Sequence, residues 1–389
     1  MNVAFLANRY GTVGGTERNL YELTRHFVSF GHEVHVYSFG VRCEPEKGLV
    51  MHRIPAIGIG RAANLYSYGV LGPRLAYRGH HDLVISFARS VRQDIVRNGG
   101  GTHPHFLEQI IAEEGPLKRM IRKWDPYHRS MLSIERKQYS RGNYRKVVAI
   151  AKTVKQQLID TYGLPDNDVR VIYNGVDTTL FNRESAKEAR DRIRAEFDIP
   201  PKAPTVIFMG NGFKRKGLDY LLPAVARHKD AGLYTLVVGE DPSMRAYKEM
   251  ASQLGIADRV RFAGARNRPY DYYGAADFFA LPSLYEPFGH STLEALACGL
   301  PVIGARRAGS VEVLSGGLEE FAVEDTSDVD MLSECVGRLL DASRWAELSD
   351  RAVEIGEAHS IKANALAFEA LCEEVLEEKK SSGGDGQFR

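Results

Sequence analysis

Glu286-Pro287-Phe288-Gly289-His290-Ser291-Thr292-Leu293-Glu294 is the stretch whose reading decides the rest. It follows an apolar run, Asp277-Phe278-Phe279-Ala280-Leu281, and precedes a short helical pattern that stops at Gly299 with Pro301 just beyond. The expected order is strand, loop, helix, glycine stop and proline breaker. Glu286 falls in the loop and Glu294 in the first turn of the helix. Two carboxylates, a glycine-containing turn and the unpaired N–H groups of a helix start suit phosphate oxygens and sugar hydroxyls. Ser291-x-x-Glu294 also reads as a capping box, which needs no ligand.

Outward from this stretch, strand and helix signals alternate twice along the chain. In the first half the strands are expected at Val3–Ala7, Glu33–Tyr37, Leu83–Phe87, Val147–Ala151 and Val169–Tyr173, with helices at about Thr16–Phe30 and Lys152–Tyr162. The stretch between Phe87 and Val147 is poor in strand signals. A charged segment, Glu184–Asp198, ends in Pro200-Pro201 and reads as a junction. The second half restarts with Thr205–Met209, Leu233–Val238, Val260–Phe262, Phe278–Leu281 and Val302-Ile303, and ends in helix over roughly Val329–Glu378. This alternation implies an α/β chain of two doubly wound parallel sheets, whose ligands sit at the carboxyl ends of strands. A length of 389 residues fits two domains.

Composition excludes several classes. A formal net charge of +1 is not that of a polycation built for nucleic acid. Cys43, Cys298, Cys335 and Cys372 are far apart with no C-x-x-C pair, which favours reduced thiols in cytoplasm over zinc or a disulfide framework. The start Val3-Ala4-Phe5-Leu6-Ala7 lacks the basic and apolar regions of a signal peptide, and no apolar run approaches the ~20 residues that span a bilayer.

Two further loops suit phosphate. Arg9-Tyr10-Gly11-Thr12-Val13-Gly14-Gly15-Thr16 has paired glycines that allow close backbone approach, with Thr16 as a helix cap; a packed tight turn is the alternative. Gly210-Asn211-Gly212-Phe213-Lys214-Arg215-Lys216-Gly217 is no Walker A loop, because Gly follows Lys216. It still places three cations between a strand end and a helix start, where mutual repulsion and the helix dipole favour an anion; a solvated charge run is the alternative.

With these segments together, the chain resembles the retaining glycosyltransferases of family 4, which have the GT-B fold. Glu286 and Glu294 match the family's E-x7-E signature, Lys216-Gly217 its K-G, and Gly14-Gly15 its N-terminal glycine loop. Within the family it is similar to the lipopolysaccharide core glucosyltransferase I group, through Arg215-Lys216-Gly217-Leu218-Asp219, Gly31-His32-Glu33-Val34 and the Arg-rich central stretch. The resemblance implies an N-terminal, acceptor-side Rossmann-like domain over 1–175, to which a terminal helix at about 358–380 returns. A donor-side domain then spans 176–357. It implies transfer of a hexose, glucose, from a UDP-linked donor to a lipopolysaccharide-core or other glycolipid, with retention. Lys216 and Arg215 would bind the diphosphate. Phe288 and Gly289 would offer N–H groups to sugar or phosphate, Glu286 would hold the donor's hydroxyls and Glu294 the ribose. Gly15 would approach the diphosphate, Arg266 would sit near the base, and Asn174 completes the donor set. Asn211 stands where many members carry Arg, which puts the sharing of diphosphate charge in doubt.

His103, in Gly99-Gly100-Gly101-Thr102-His103-Pro104-His105, is the expected first-half contact with the reacting sugar, since similar members carry a His in a comparable loop; His103 and His105 as surface residues are the alternative. The strings Asp166-Asn167-Asp168 and Asp328-Val329-Asp330 fall where Asp is favoured in turns and caps, so no metal is expected. From Lys118 to Lys146 cations and aromatics interleave. Lys118, Arg119, Arg122 and Lys123 are expected at an anionic membrane surface or on the acceptor, unless the segment is a solvated helix pair. The whole points to a monomeric transferase, peripheral at the cytoplasmic face of the inner membrane, needing no cofactor beyond its nucleotide-sugar co-substrate. A nucleotide-sugar epimerase and a non-catalytic binder of nucleotide or anionic lipid are the competing classes.

Overall fold

The computed structural model describes residues 1–12, 14–43, 47–57, 60–112 and 124–381. Lys118, Arg119, Arg122 and Lys123 lie outside the described residues. The chain forms two compact units, one of Met1–Asn174 with the chain from Ile361 onward, the other of Gly175–Ser360. Among the described residues no helix is long and apolar enough to cross a membrane.

The first unit is built on a parallel sheet of β1 (Asn2–Tyr10), β2 (Glu33–Val41), β3 (Leu49–Arg53), β4 (Leu83–Ser86), β5 (Ile95–Asn98), β6 (Lys146–Ala149) and β7 (Val169–Val171), in the order β3-β2-β1-β4-β5-β6-β7. The central strands read as apolar runs because helices cover both faces of a parallel sheet; Val3–Leu6 and Leu83–Ile85 are fully buried. The helix Gly15–Ser29 buries Leu20, Leu23 and Phe27 on one stripe. The helix Ile361–Ser381 meets that stripe with Ala365, Phe368, Leu371, Cys372 and Val375. Phe368 packs on Phe27 and Phe87, at centroid distances of 6.5 and 6.0 Å.

Four features of this unit depart from the expectation. The stretch after Phe87 contains β5, whose only two aliphatic residues precede Arg97 and Asn98. β3 and the helix Arg61–Arg78 also had no clear signal. The helix after the first loop is capped at Gly14, with φ of 100°, rather than at Thr16.

The second unit has a parallel sheet of β8 (Thr205–Met209), β9 (Tyr234–Val238), β10 (Val260–Gly264), β11 (Phe278–Leu281), β12 (Val302–Ala305) and β13 (Ala322–Val323), in the order β10-β9-β8-β11-β12-β13. The charged segment expected to be a junction is instead the helix Arg183–Glu196 of this unit. Its Arg194 is 1% exposed and donates to the carbonyls of Pro200, Pro201, Ala203 and Ala275 and to Asp277. The cation is thus spent on holding the Pro200-Pro201 turn against the sheet. The chain passes between the units at Asn174-Gly175 and again at Ser360-Ile361.

Phe368→Ala removes the ring that the terminal helix lodges against Phe27 and Phe87. A loss of about 3–5 kcal/mol is expected, read as a lower urea midpoint by circular dichroism at an unchanged folded-state spectrum.

Candidate functional site

In each unit the strand order reverses direction beside the first strand, between β1 and β4 and between β8 and β11. Loops on the two sides of such a switch point diverge and leave a crevice at the carboxyl ends of the strands. Arg215, Lys216, Glu286, Phe288 and Gly289 gather at the β8/β11 switch.

The loop after β8 is fixed from below. Phe213 is fully buried, edge-on to Phe208 and Tyr247, and its N–H donates to Asp241 at 2.8 Å. Lys216 N–H returns to Gly212 O and Leu218 N–H to Phe213 O, which closes the turn. Gly217 ends it at φ 82°, pressed so closely on the loop after β11 that a Cβ there would lie 1.9 Å from Pro282 O. Only glycine fits that approach. The Lys216 stem lies over Gly210, where an added Cβ would stand 2.5 Å from Lys216 Cε.

The result is a three-residue charge cluster. Lys216 Nζ lies 3.0 Å and Arg215 Nη1 3.3 Å from Glu286 Oε2. Arg215 also donates to Tyr285 O at 2.8 Å, and its own carbonyl accepts from Leu284 N–H at 2.9 Å. Burial alone would raise the Glu286 pKa, but Lys216 and Arg215 outweigh it and hold the carboxyl below its ordinary value. Both cations converge on one oxygen, and no donor among the described residues reaches Oε1. An ammonium carries three donors and a guanidinium five, so both retain N–H groups for an anion.

Gly289, at φ 92°, caps the helix His290–Ala297 and stands beside the same carboxylate, a Cβ there falling 3.2 Å from Glu286 Cγ. Glu286 therefore touches both the cation loop and the helix start. Phe288 is 2% exposed, so only its backbone is offered to a ligand, and its carbonyl already accepts from Ser310 N–H at 2.9 Å. The capping-box alternative is not realised. The helix begins two residues too early, so Ser291 is inside its first turn with a buried Oγ that has no partner. Glu294 instead accepts from Tyr273 OH at 2.7 Å.

The remaining residues go elsewhere. Arg266 is packed on Phe197 and Tyr272, with centroid distances of 5.4 and 5.5 Å, and pairs with Glu196 at 3.3 Å. Asn211 Oδ1 accepts from Glu240 N–H at 2.8 Å and so ties the loops after β8 and β9 together. Asp328 caps its helix through the N–H groups of Asp330 and Met331, and Asp166 pairs with Lys155 at 2.8 Å, so both Asp-x-Asp strings have local roles. Of the basic stretch, Lys146 is in β6 and pairs with Glu374 and Glu378, while Met131 and Tyr139 face the core and Trp124 is 67% exposed.

The first unit has its own cavity of about 300 Å³ at the β1/β4 switch, lined among others by Arg9, Thr16, Arg89, Arg97, Gly99 and Glu135. Gly15 opens the helix that follows the adjoining loop. His103 is not on the cavity wall. It starts the helix His103–Ala112, is 3% exposed, and faces His128, with Nε2 3.1 Å from Nδ1. Burial, then Arg89 and His128, push its pKa down to about 4, so the ring is neutral at pH 7. Asn174 is buried, and its Oδ1 accepts from Arg97 Nη2 at 2.5 Å. Sequence reasoning passed over Arg97, whose burial lowers its pKa to about 9. The available signal was a cation directly after aliphatic residues and just before Gly99-Gly100-Gly101.

Residues 189–359 match the family model "Glycosyl transferases group 1", and residues 13–180 match "Glycosyltransferase Family 4". The lipopolysaccharide glucosyltransferase WaaG of Escherichia coli is 22% identical over 94% of this chain and 97% of its own. The WaaG crystal structure superposes with a TM-score of 0.76 over 96% of this chain and 99% of that one, at 20% identity, which speaks to fold. The lipopolysaccharide core biosynthesis glycosyltransferase LpsE of Rhizobium meliloti is 33% identical over 47% of this chain and 52% of its own. At 30–36% identity the chain spans about half the length of the curated relatives it matches. The structure of Anabaena HepE with UDP and glucose has a TM-score of 0.72, at 17% identity over 96% of this chain and 99% of that one.

The Glu286 cluster makes a pH prediction. A carboxyl held low in the folded state stabilises above its unfolded value of about 4.3, and that stability is lost as pH falls through the lower folded value. The difference in Tm between wild type and Glu286→Gln should be constant from pH 5 to 8 and shrink below about pH 4, as measured by thermal denaturation across that range.

Proposed function

The chain belongs to the GT-B glycosyltransferases, and from that premise we propose that it moves glucose from a UDP-linked donor to a lipopolysaccharide-core or other glycolipid acceptor, with retention at the anomeric carbon. The observation that carries the donor half is the Lys216–Arg215–Glu286 cluster beside the helix start at Gly289. Breaking the bond between sugar and diphosphate builds negative charge on the leaving phosphate and positive charge on the ring. Groups fixed in advance where charge develops supply most of the rate. Lys216, Arg215 and the first-turn N–H groups suit the phosphate. Glu286, ionised and with Oε1 turned away from both cations, suits the sugar's hydroxyls, and Glu294 with Tyr273 suits the ribose. The lipopolysaccharide roles of WaaG and LpsE, and the UDP and glucose in HepE, favour this donor and acceptor.

The second unit is then the donor side and the first the acceptor side. On this proposal no metal is needed, since the cations and the helix start take the place of a divalent ion at the diphosphate. The enzyme works as a monomer at the inner face of the cytoplasmic membrane, with Lys118, Arg119, Arg122 and Lys123 against anionic lipid and without nucleic acid as a partner.

Lys216→Ala should lower turnover of UDP-glucose with a core glycolipid acceptor by on the order of 10²–10³ while the folded-state circular dichroism is unchanged, and Glu286→Gln should also be strongly impaired. Near-normal rates in both variants remove this site. NMR of the product reads the anomeric configuration, and inversion defeats the retaining assignment. Activity should persist in EDTA; its loss there would require a metal.

A further inference from the structure

Arg97, near the end of β5, is 5% exposed and lines the first unit's cavity. One terminal nitrogen, Nη2, is taken by Asn174; the other, Nη1, is buried with no acceptor. No carboxylate pairs with it among the described residues. One face of the guanidinium is covered by Phe87, 4.7 Å from the ring centroid to Cζ. A cation withdrawn from water with neither counter-ion nor full hydrogen bonding is costly and rare unless something binds it. Arg194 shows what a purely structural buried arginine looks like here: its three nitrogens have five oxygen acceptors.

The surroundings fit the same purpose. At Gly99 an added Cβ would stand 2.5 Å from Arg97 Nη1, so the glycine makes room for the guanidinium at the cavity wall. Arg89 is on the same wall with a buried, unpartnered Nε. Its Nη2 pairs with Glu135 Oε1 at 3.6 Å, while Glu135 Oε2 accepts from His103 N–H and Tyr162 OH. Arg9 adds a third cation, against Glu17 and Glu135. The wall therefore carries a surplus of positive charge and of unspent N–H donors, at a volume near the lower bound of small-molecule pockets, about 300–1,000 Å³.

We propose that Arg97 anchors an oxyanion subsite in this cavity, and that the group it holds is a phosphate or carboxylate carried on the acceptor saccharide. The word acceptor rests on the transferase reading above; the oxyanion subsite does not. A guanidinium with one terminal nitrogen engaged still presents donors suited to such oxygens.

Calorimetric titration of the full chain tests it with glucose 6-phosphate, glucuronate, glucose, inorganic phosphate and UDP, on wild type, Arg97→Met and Arg97→Lys. Glucose 6-phosphate or glucuronate should bind wild type at least tenfold tighter than glucose. Arg97→Met should abolish that preference, leave UDP affinity within twofold, and keep or raise Tm, because an apolar isostere removes a buried charge. Arg97→Lys, which keeps charge without the fork, should fall between, and it carries the test if the Met variant does not fold. Equal binding of glucose and the charged sugars by wild type overturns the proposal. So does a loss in Arg97→Met confined to UDP, which assigns the anion to the donor, and so does binding of inorganic phosphate alone. These titrations involve no turnover, so their failure leaves the Lys216 result standing, and a failed Lys216 assay leaves the subsite standing.

Discussion

The ion pair between Lys216 and Glu286 is the constraint around which the second unit is arranged. It joins the loop after β8 to the loop after β11, two segments 70 residues apart in sequence. The pair forms because β8 and β11 are neighbours in the sheet, so their carboxyl ends are side by side. It is fixed because Phe213 anchors one loop in the core and Gly217 lets it touch Pro282 of the other. The carboxylate neutralises part of the charge that three consecutive cations and a helix start would otherwise concentrate, and it leaves N–H donors over. A cluster so arranged is oriented before any phosphate arrives, which is what electrostatic catalysis requires.

The two units treat their cations in three ways. Lys216 and Arg215 share one carboxylate and keep donors in reserve. Arg194 has no reserve, being fully occupied by carbonyls and Asp277, and its work is to fold the Pro200-Pro201 turn onto the sheet. Arg97 has one side-chain amide and an aromatic face, and an idle nitrogen. The difference lies in hydrogen-bond satisfaction. A fully satisfied buried charge organises structure, while an incompletely satisfied one at a cavity wall is held ready at the expense of stability.

Much of the architecture was legible because central parallel strands are buried on both faces and so write themselves as apolar runs; β8 and β11 fall where those runs fall. The elements that escaped are those without such runs: β13 has two residues, β5 only two aliphatic residues before Arg97 and Asn98, and β3 is an edge strand. The charged Glu184–Asp198 segment suggested a linker because its helix buries one large apolar side chain, Ile193, beside two alanines and the fully bonded Arg194, too few to write an apolar stripe.

At the candidate site, sequence by itself determined the cast: which cations, carboxylates and glycines stand at strand ends, since each residue type is suited to phosphate or hydroxyl by its own chemistry. Tertiary structure decided their partners. It paired Glu286 with Lys216, gave Glu294 to Tyr273 in place of a cap, turned His103 into the protein against His128, and set Asn174 on an arginine that had drawn no notice. The reason is range. Propensity and spacing act over a few residues, whereas these contacts join residues 21 to 77 positions apart, and only the folded arrangement of strands and helices brings them together.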